Sequence, residues 1–425
     1  MSGDASTGDD PSLATGQSPV GAEGAYPLEP PLTAGVPDGD IDGEGPPRPL
    51  TVDYDYDAVD VGLFDGPVEP GLKRWAPLLP PLTGPGLSAG GTPLVEAPGV
   101  AAWAGVDALY LKDESRNPTW SHKDRLVRPV VSAALRAEAD GVVAASTGNH
   151  GAATAAHAAR VGLPCVVFTV PGTPPAVEEF VRSYGAAVVR AGAGDQLARF
   201  VDAFTERGFH AATSRTPFHT GHPYGPEGYK TIAYETYLGL GRVPAAVAVP
   251  TAHAELLYGV WKGFAELSRL GVTDDTPRMV ACEPAAQAAL SAARERGESV
   301  VEIDGGPSDA HSIGGSRSTH RGYRALAASG GLAVPVPEDD IAAAQDRLAA
   351  TGLWQEFSAA AGVGGLRAAE ASLDGPVVAL ACSSGFKDGT DWTAPELDAD
   401  ATLDDAVARL TAAYDLDLGL AFDGG

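Results

Sequence analysis

LYLKDESRNPTWSHKDR, from Leu109 to Arg125, is the stretch whose reading decides the fold. It begins in a strand-like apolar run, Ala108 to Leu111, and passes through a turn at Asn117-Pro118. It then enters a helix. Ser121 stands where a side-chain cap belongs, with Asp124 three residues on, and Leu126, Val127, Val130, Val131 and Leu135 supply a buried face. That places Lys123 in a first helical turn, on a fixed element just past a strand. A second stretch follows closely. ASTGNHG, Ala145 to Gly151, joins an apolar strand to an Ala-rich helix through a Ser146-Thr147-Gly148-Asn149 turn, where free backbone N–H groups collect.

Around these two segments the chain alternates. Val142–Ser146, Cys165–Val170, Ala187–Arg190, Ala245–Pro250, Met279–Cys282, Val334–Val336 and Val377–Cys382 read as strands. Ala152–Val161, Ala176–Tyr184, Gln196–Arg207, Glu255–Leu270, Ala285–Arg296, Ile341–Ala350, Ala359–Ala371 and Leu403–Tyr414 read as helices. Such alternation predicts an α/β fold with parallel sheets, and 425 residues suffice for two domains. Residues 1–48 are rich in Gly, Pro, Asp and Ser and predict a disordered acidic tail.

Charge and cysteine usage exclude several classes. Lys and Arg number 29 against 56 Asp and Glu, a formal charge of −27, which argues against nucleic acid or an anionic membrane as partner. Cys165, Cys282 and Cys382 are scattered thiols with no CxxC pair, so neither a disulfide framework nor a metal site is expected, and a cytoplasmic enzyme fits best. No Lys or Arg precedes Arg48, so no signal peptide is expected, and no apolar run reaches transmembrane length. His210, His219 and His222 lack tight metal spacing and read as loop or active-site polar residues.

The Lys112–Arg125 block together with the Asn turn resembles the pyridoxal-phosphate enzymes of fold type II (tryptophan synthase β-like), and within them the threonine synthase branch. Family members carry a KDES-NPT-SxKDR block whose lysine holds the cofactor. The resemblance implies pyridoxal 5'-phosphate as cofactor, Lys123 as its lysine, and two parallel-sheet domains with the active site between them. A small domain, 126–210, would interrupt a large one made of 49–125 and 211–396, and 397–425 would be a C-terminal extension. A homodimer acting on a small amino acid is implied as well.

The same resemblance implies roles for further residues. Ser146 and Thr147 would hold the substrate carboxylate and Asn149 would lie against the cofactor's ring oxygen, with His150 a packed ring beside it. Ala381–Asp388 resembles the family's TGxGLKD block, putting Cys382, or Ser383 one place on, at the pyridine nitrogen. Gly90-Gly91-Thr92-Pro93-Leu94 and Glu356–Ala360 match further family segments, and Ser121, Trp120 and Tyr224 would stand beside the substrate, Trp120 replacing a common glycine.

Two departures bear on substrate. The glycine-rich phosphate loop of relatives is here Pro250-Thr251-Ala252-His253-Ala254-Glu255, without glycine until Gly259. Thr251 and His253 could still donate, alongside the helix-start amides near Ala252 and Ala254; Glu255 would repel a dianion unless it points elsewhere. In His222–Thr231, which resembles the NPYRLEGxKT segment, the arginine that helps bind a leaving phosphate is Gly225. The resemblance to threonine synthase implies elimination or replacement at a γ carbon through Cα and Cβ deprotonation, and these departures predict a leaving group less charged than phosphate, unless Arg116, Arg125, Arg215 or Lys230 restores the missing donor. The alternatives are β-elimination or β-replacement, true threonine synthase activity, and a non-catalytic module on the same fold.

Overall fold

A computed structural model describes residues 11–37, 46–173, 175–192, 195–388, 394 and 396–414. The chain divides into two units, Met1–Lys387 and Asp388–Gly425. In the first unit the strands are β1 (Ala14–Pro19), β2 (Leu50–Tyr54), β3 (Leu94–Glu96), β4 (Ala108–Asp113), β5 (Gly141–Ala145), β6 (Cys165–Thr169), β7 (Ala187–Arg190), β8 (Phe209–Ala211), β9 (Ala246–Pro250), β10 (Arg278–Pro284), β11 (Leu332–Val336) and β12 (Pro376–Ala381). The helices are α1 (Pro98–Ala104), α2 (Lys123–Arg136), α3 (Asn149–Arg160), α4 (Pro175–Ser183), α5 (Asp195–Thr205), α6 (Gly225–Leu240), α7 (Glu255–Arg269), α8 (Ala289–Arg296), α9 (His320–Ser329), α10 (Glu338–Ala350) and α11 (Phe357–Ala368). In the second unit α12 (Leu403–Tyr414) is described and buries none of its residues.

Two sheets organise the first unit. The larger runs β11-β10-β9-β12-β4-β3, parallel throughout except for β3, and the smaller runs β7-β6-β5-β8, all parallel. Their central strands are continuous apolar runs because both faces are covered: every residue of β9 is buried. The parallel register lines up the carboxyl ends of neighbouring strands, with Ala381 beside Asp113 and Cys282 beside Pro250. The loops that leave β4, β9 and β12 therefore emerge at one edge, where α/β sheets generally place their sites.

Three expectations are corrected. The stretch 1–48 is not wholly a tail, since β1 pairs antiparallel with β2 and the Gln17 side chain donates to the Pro27, Leu28 and Pro30 carbonyls; residues 1–10 and 38–45 lie outside the described residues. Ser121 does not cap α2. The Asp124 carboxylate reaches back instead, accepting from the Thr119 N–H at 2.8 Å and hydroxyl at 2.9 Å, while the buried Ser121 hydroxyl has no partner. The helix expected from Ala285 begins at Ala289, because the Glu283 carboxylate accepts from the Leu290 and Ser291 N–H groups at 2.8 and 2.9 Å.

Pro129 lies inside α2 and has no N–H for the Arg125 carbonyl. That carbonyl faces α6 at Gly228, where an added Cβ would overlap it. The Arg125 side chain is fully buried and joins the Glu114 and Glu235 carboxylates, both contacts 2.6 Å, with Lys112 also 2.6 Å from Glu235. Two cations and two carboxylates thus cancel inside the core, tying β4, α2 and α6 together two residues along the helix from Lys123.

Candidate active site

A cavity of about 390 Å³ opens at this edge. Lys123, Ser146, Thr147, Asn149, Ala252, His253, Ala254, Glu255, Cys382 and Ser383 all line it, although they come from four separate stretches of chain. Lys123 leaves the first turn of α2 with its Nζ 5.7 Å from the centre of the Tyr229 ring. Burial lowers its pKa, opposed by Glu255, Cys382 and Glu356, so the amine is easier to deprotonate than a surface lysine.

The turn after β5 is held from within. The Ser146 hydroxyl oxygen accepts from the Gly151 N–H at 2.9 Å and the Gly148 N–H at 3.2 Å, which fixes the start of α3. Thr147 is exposed toward the opening. The Asn149 amide donates to Glu356 Oε2 at 2.8 Å, and its oxygen accepts from Lys387 Nζ at 2.5 Å and from the Ser383 hydroxyl at 3.4 Å. The Ser312 hydroxyl donates to the other Glu356 oxygen. Burial brings Lys387 down to about 8 against the pull of Glu356 and Asp124.

Cys382 and Ser383 follow β12. Burial raises the Cys382 thiol well above its ordinary pKa, so it is protonated; its carbonyl accepts from the His122 N–H at 2.9 Å and lies 3.1 Å from His122 Nδ1.

The third wall is the β9–α7 loop. Ala254 holds a left-handed φ of +59° as the residue before α7, in the conformation that suits glycine better. Burial opposes ionisation of Glu255, but His219, Arg321 and Lys123 outweigh it and hold the carboxyl below the usual range. Its oxygens lie 3.3 Å from Arg321 and 3.3 Å from His219 Nε2, turned toward those partners. The His219 and His253 rings stack with centres 4.0 Å apart and planes at 12°. Among the described residues, His150 Nε2 and His253 Nδ1 are buried ring nitrogens of this cavity with no hydrogen-bond partner. Burial, with Lys123 adding, lowers His150 to about 3, and burial takes His253 well below 6.5.

Four expected residues are not among those lining the cavity. The Thr251 hydroxyl donates to the Val249 carbonyl at 2.7 Å, closing its own turn. Tyr224 donates to the Leu28 carbonyl at 2.6 Å and anchors the N-terminal segment. Ser121 is buried and its hydroxyl has no partner. Trp120 is 48% exposed at a φ of +59° and stacks on Phe180 of α4, 6.0 Å between ring centres.

The four basic residues that could have replaced the missing arginine are elsewhere too: Arg125 and Lys230 are buried in ion pairs, Arg215 pairs with Asp202, and Arg116 is exposed outside the cavity. Conversely, the roles of Glu356, Ser312, Lys387 and Arg321 were not legible in advance. Glu356 stood in a matched segment and Lys387 in the block after β12, which was the signal to follow.

The pattern of the family described as "Pyridoxal-phosphate dependent enzyme" matches residues 86–383. The threonine synthase of Methanosarcina acetivorans is 32% identical over 332 residues, 75% of this chain and 80% of that protein. The threonine synthase of Methanocaldococcus jannaschii is 32% identical over 290 residues, 66% of this chain and 70% of that one. Among solved structures, maize serine racemase superposes with a TM-score of 0.61 at 17% identity, covering 69% of this chain and 88% of its own. Processed threonine deaminase isoform 2 of Solanum lycopersicum gives 0.59 at 23%, covering 69% and 79%. These last two likenesses speak for the fold alone.

Proposed function

The chain belongs to the pyridoxal-phosphate dependent enzymes of fold type II, in their threonine synthase-like branch, and from that premise we propose that it eliminates or replaces a γ-substituent of an amino acid other than O-phosphohomoserine. The cavity's donors fit pyridoxal 5'-phosphate: a deprotonatable amine, an amide at Asn149, a neutral thiol and a hydroxyl at Cys382 and Ser383, and imidazole nitrogens still lacking partners beside the first-turn amides of α7. Bound there, the cofactor supplies an electron-withdrawing ring that stabilises negative charge at the substrate's Cα.

The chain's own residues do the rest. The backbone N–H groups around Ser146 and Thr147 hold the substrate carboxylate, since the Ser146 hydroxyl is engaged in keeping the turn in shape. Asn149, oriented from both sides by Glu356 and Lys387, steadies the cofactor oxygen. Lys123 Nζ holds the cofactor and moves the Cα and Cβ protons, a task that its lowered pKa suits. Cys382, a neutral thiol lining the cavity, would meet the ring nitrogen without charging it.

One observation carries the choice of leaving group. Among the described residues lining the cavity, Lys123 is the one Lys or Arg, and Glu255 adds a carboxylate. A dianionic leaving group without charge-assisted donors forgoes about 1.5–3 kcal/mol for each one missing, or roughly ten- to over a hundredfold in affinity. A halide, an ester or a hydroxyl leaves without that demand. Steady-state assay with O-phosphohomoserine tests this: threonine formation at an ordinary enzymatic rate overturns it. The same shortage of cations suits β-elimination from a hydroxy amino acid, and turnover in deuterated water separates the two, since γ-chemistry labels Cβ as well as Cα. We further propose a cytoplasmic homodimer. Three unpaired buried thiols support the reducing compartment; among the described residues no helix is long and apolar enough to cross a membrane.

A further inference from the structure

We propose that His219 and His253 together receive the cofactor's phosphate at the head of α7, and that seating it takes up a proton from solution. The inference rests on the cofactor assignment made above and goes beyond it to this chain's own means of holding the anionic end.

A phosphate at a helix head is ordinarily met by backbone N–H groups and needs no proton. Here that head carries a fixed charge, because Glu255 is the first residue of α7 and lines the cavity. Arg321 offsets part of it but is already committed, with its guanidinium on the Thr220 carbonyl at 2.6 Å, the Leu50 carbonyl at 2.7 Å and Glu255 at 3.3 Å. A dianion brought beside a carboxylate requires new positive charge, and imidazole is the side chain that supplies it near neutral pH.

The pair is placed to do so. The two rings stack at 4.0 Å and form a wall shared by the main cavity and a second one of about 150 Å³, whose lining adds Arg317, Ser318 and Thr319. His253 Nδ1 is buried without a hydrogen-bond partner and so has a site to give, while His219 Nε2 lies 3.3 Å from the Glu255 carboxylate, a contact it gives up to meet the phosphate. Thr319 donates to the His253 carbonyl at 2.9 Å, which fixes the backbone behind the ring. The charged and titratable groups facing His253 are His219, Glu255, Lys123 and Arg317. Burial, and after it His219, keep His253 neutral in the bare cavity; a bound dianion reverses that balance and draws in the proton. Stacked face to face, the rings accommodate one added charge better than two.

The sign follows from linkage. A complex that holds one more proton than its parts weakens as pH rises, by up to about tenfold per unit for one proton. A phosphate monoester is already mostly dianionic above about pH 6, so the fall between pH 7 and 8.5 belongs to the protein. Attachment to Lys123 has the opposite trend, since it needs the free amine.

The probe is therefore 4'-deoxypyridoxine 5'-phosphate, which keeps the phosphate and lacks the aldehyde. Titration calorimetry of the full chain at pH 8, in two buffers of different ionisation heat, should show uptake approaching one proton. Its affinity should fall five- to tenfold per pH unit above pH 7. His253→Gln and His219→Gln should each weaken binding at pH 7 at least tenfold and flatten the pH slope, whereas Glu255→Gln should tighten binding and flatten it. The wild-type heats decide the question even if a variant misfolds. No proton uptake, with affinity independent of pH, overturns the proposal while leaving the cofactor assignment intact if pyridoxal phosphate still colours the protein. A protein that stays colourless with pyridoxal phosphate overturns both.

Discussion

Lys123 owes its chemistry to burial, which lowers its pKa, and its position to Arg125 two residues on, locked in the core. Replacing it separates the two. Lys123→Ala should fold, bind no visibly absorbing cofactor, and lose at least about 10²–10⁴ in turnover of any accepted amino acid; retained colour and turnover would remove it from the mechanism. Lys387 makes a pH prediction. Its pKa is about 8 in the folded chain against 10.5 for an ordinary lysine, so the unfolded chain binds more protons between those values. This group alone therefore makes folding more favourable as pH rises from about 8 toward 10.5. Urea unfolding of wild type and Lys387→Met across pH 7 to 10 should show that rise in wild type and a shallower one in the variant, and parallel curves would count against it. Both lysines stood in segments matched to the family. Only Lys123 could be given a role from the sequence, because the partners of Lys387, Asn149 and Phe180, lie more than 200 residues earlier in the chain.

Among the elements, α2 and α6 are coupled by a deletion of chemistry. Pro129 removes the N–H that would bond the Arg125 carbonyl, and α6 comes so close to that carbonyl that only glycine fits at position 228. Gly228→Ala should destabilise the fold by about 1–3 kcal/mol or more, since the obstructing atom is backbone and cannot rotate away; an unchanged denaturation midpoint would contradict the close approach. The helix starts show how local rules fail. Ser121-x-x-Asp124 has the spacing of a capping pair, yet Asp124 turns to Thr119 and also meets His157 at 3.0 Å. Its two oxygens are divided between Thr119 and His157 of α3, and the capping pair with Ser121 does not form.

At the scale of the molecule the net charge of −27 is the dominant number. The excess carboxylates lie mainly outside the ion pairs, and their mutual repulsion opposes compaction. Raising salt shortens the range of that repulsion, from about 10 Å at 0.1 M to about 3 Å at 1 M. Melting temperature should therefore rise between 0.1 M and 1 M potassium chloride; a flat or falling curve would mean that the buried pairs and not the surface dominate the salt response.

What the sequence by itself determined is what is contiguous along the chain. The strand–turn–helix that presents Lys123, the turn before Asn149 and the loop from Pro250 to Glu255 each lie within a few residues, so local spacing is enough to find them. The alternation of apolar runs with amphipathic ones was legible for the same reason, because burial on both faces of a parallel strand leaves a mark in the composition of that strand. What only the tertiary structure decided is which residues meet across the cavity. Glu356 and Lys387 reach Asn149 from more than 200 positions away, and Arg321 finds Glu255 from 66. Trp120, Tyr224 and Thr251 turned elsewhere because an aromatic neighbour or a carbonyl claimed their side chains, and Ser121 is buried with its hydroxyl unpartnered. A parallel sheet brings the ends of distant strands to one edge, and the contacts made there depend on register and packing that no single segment encodes.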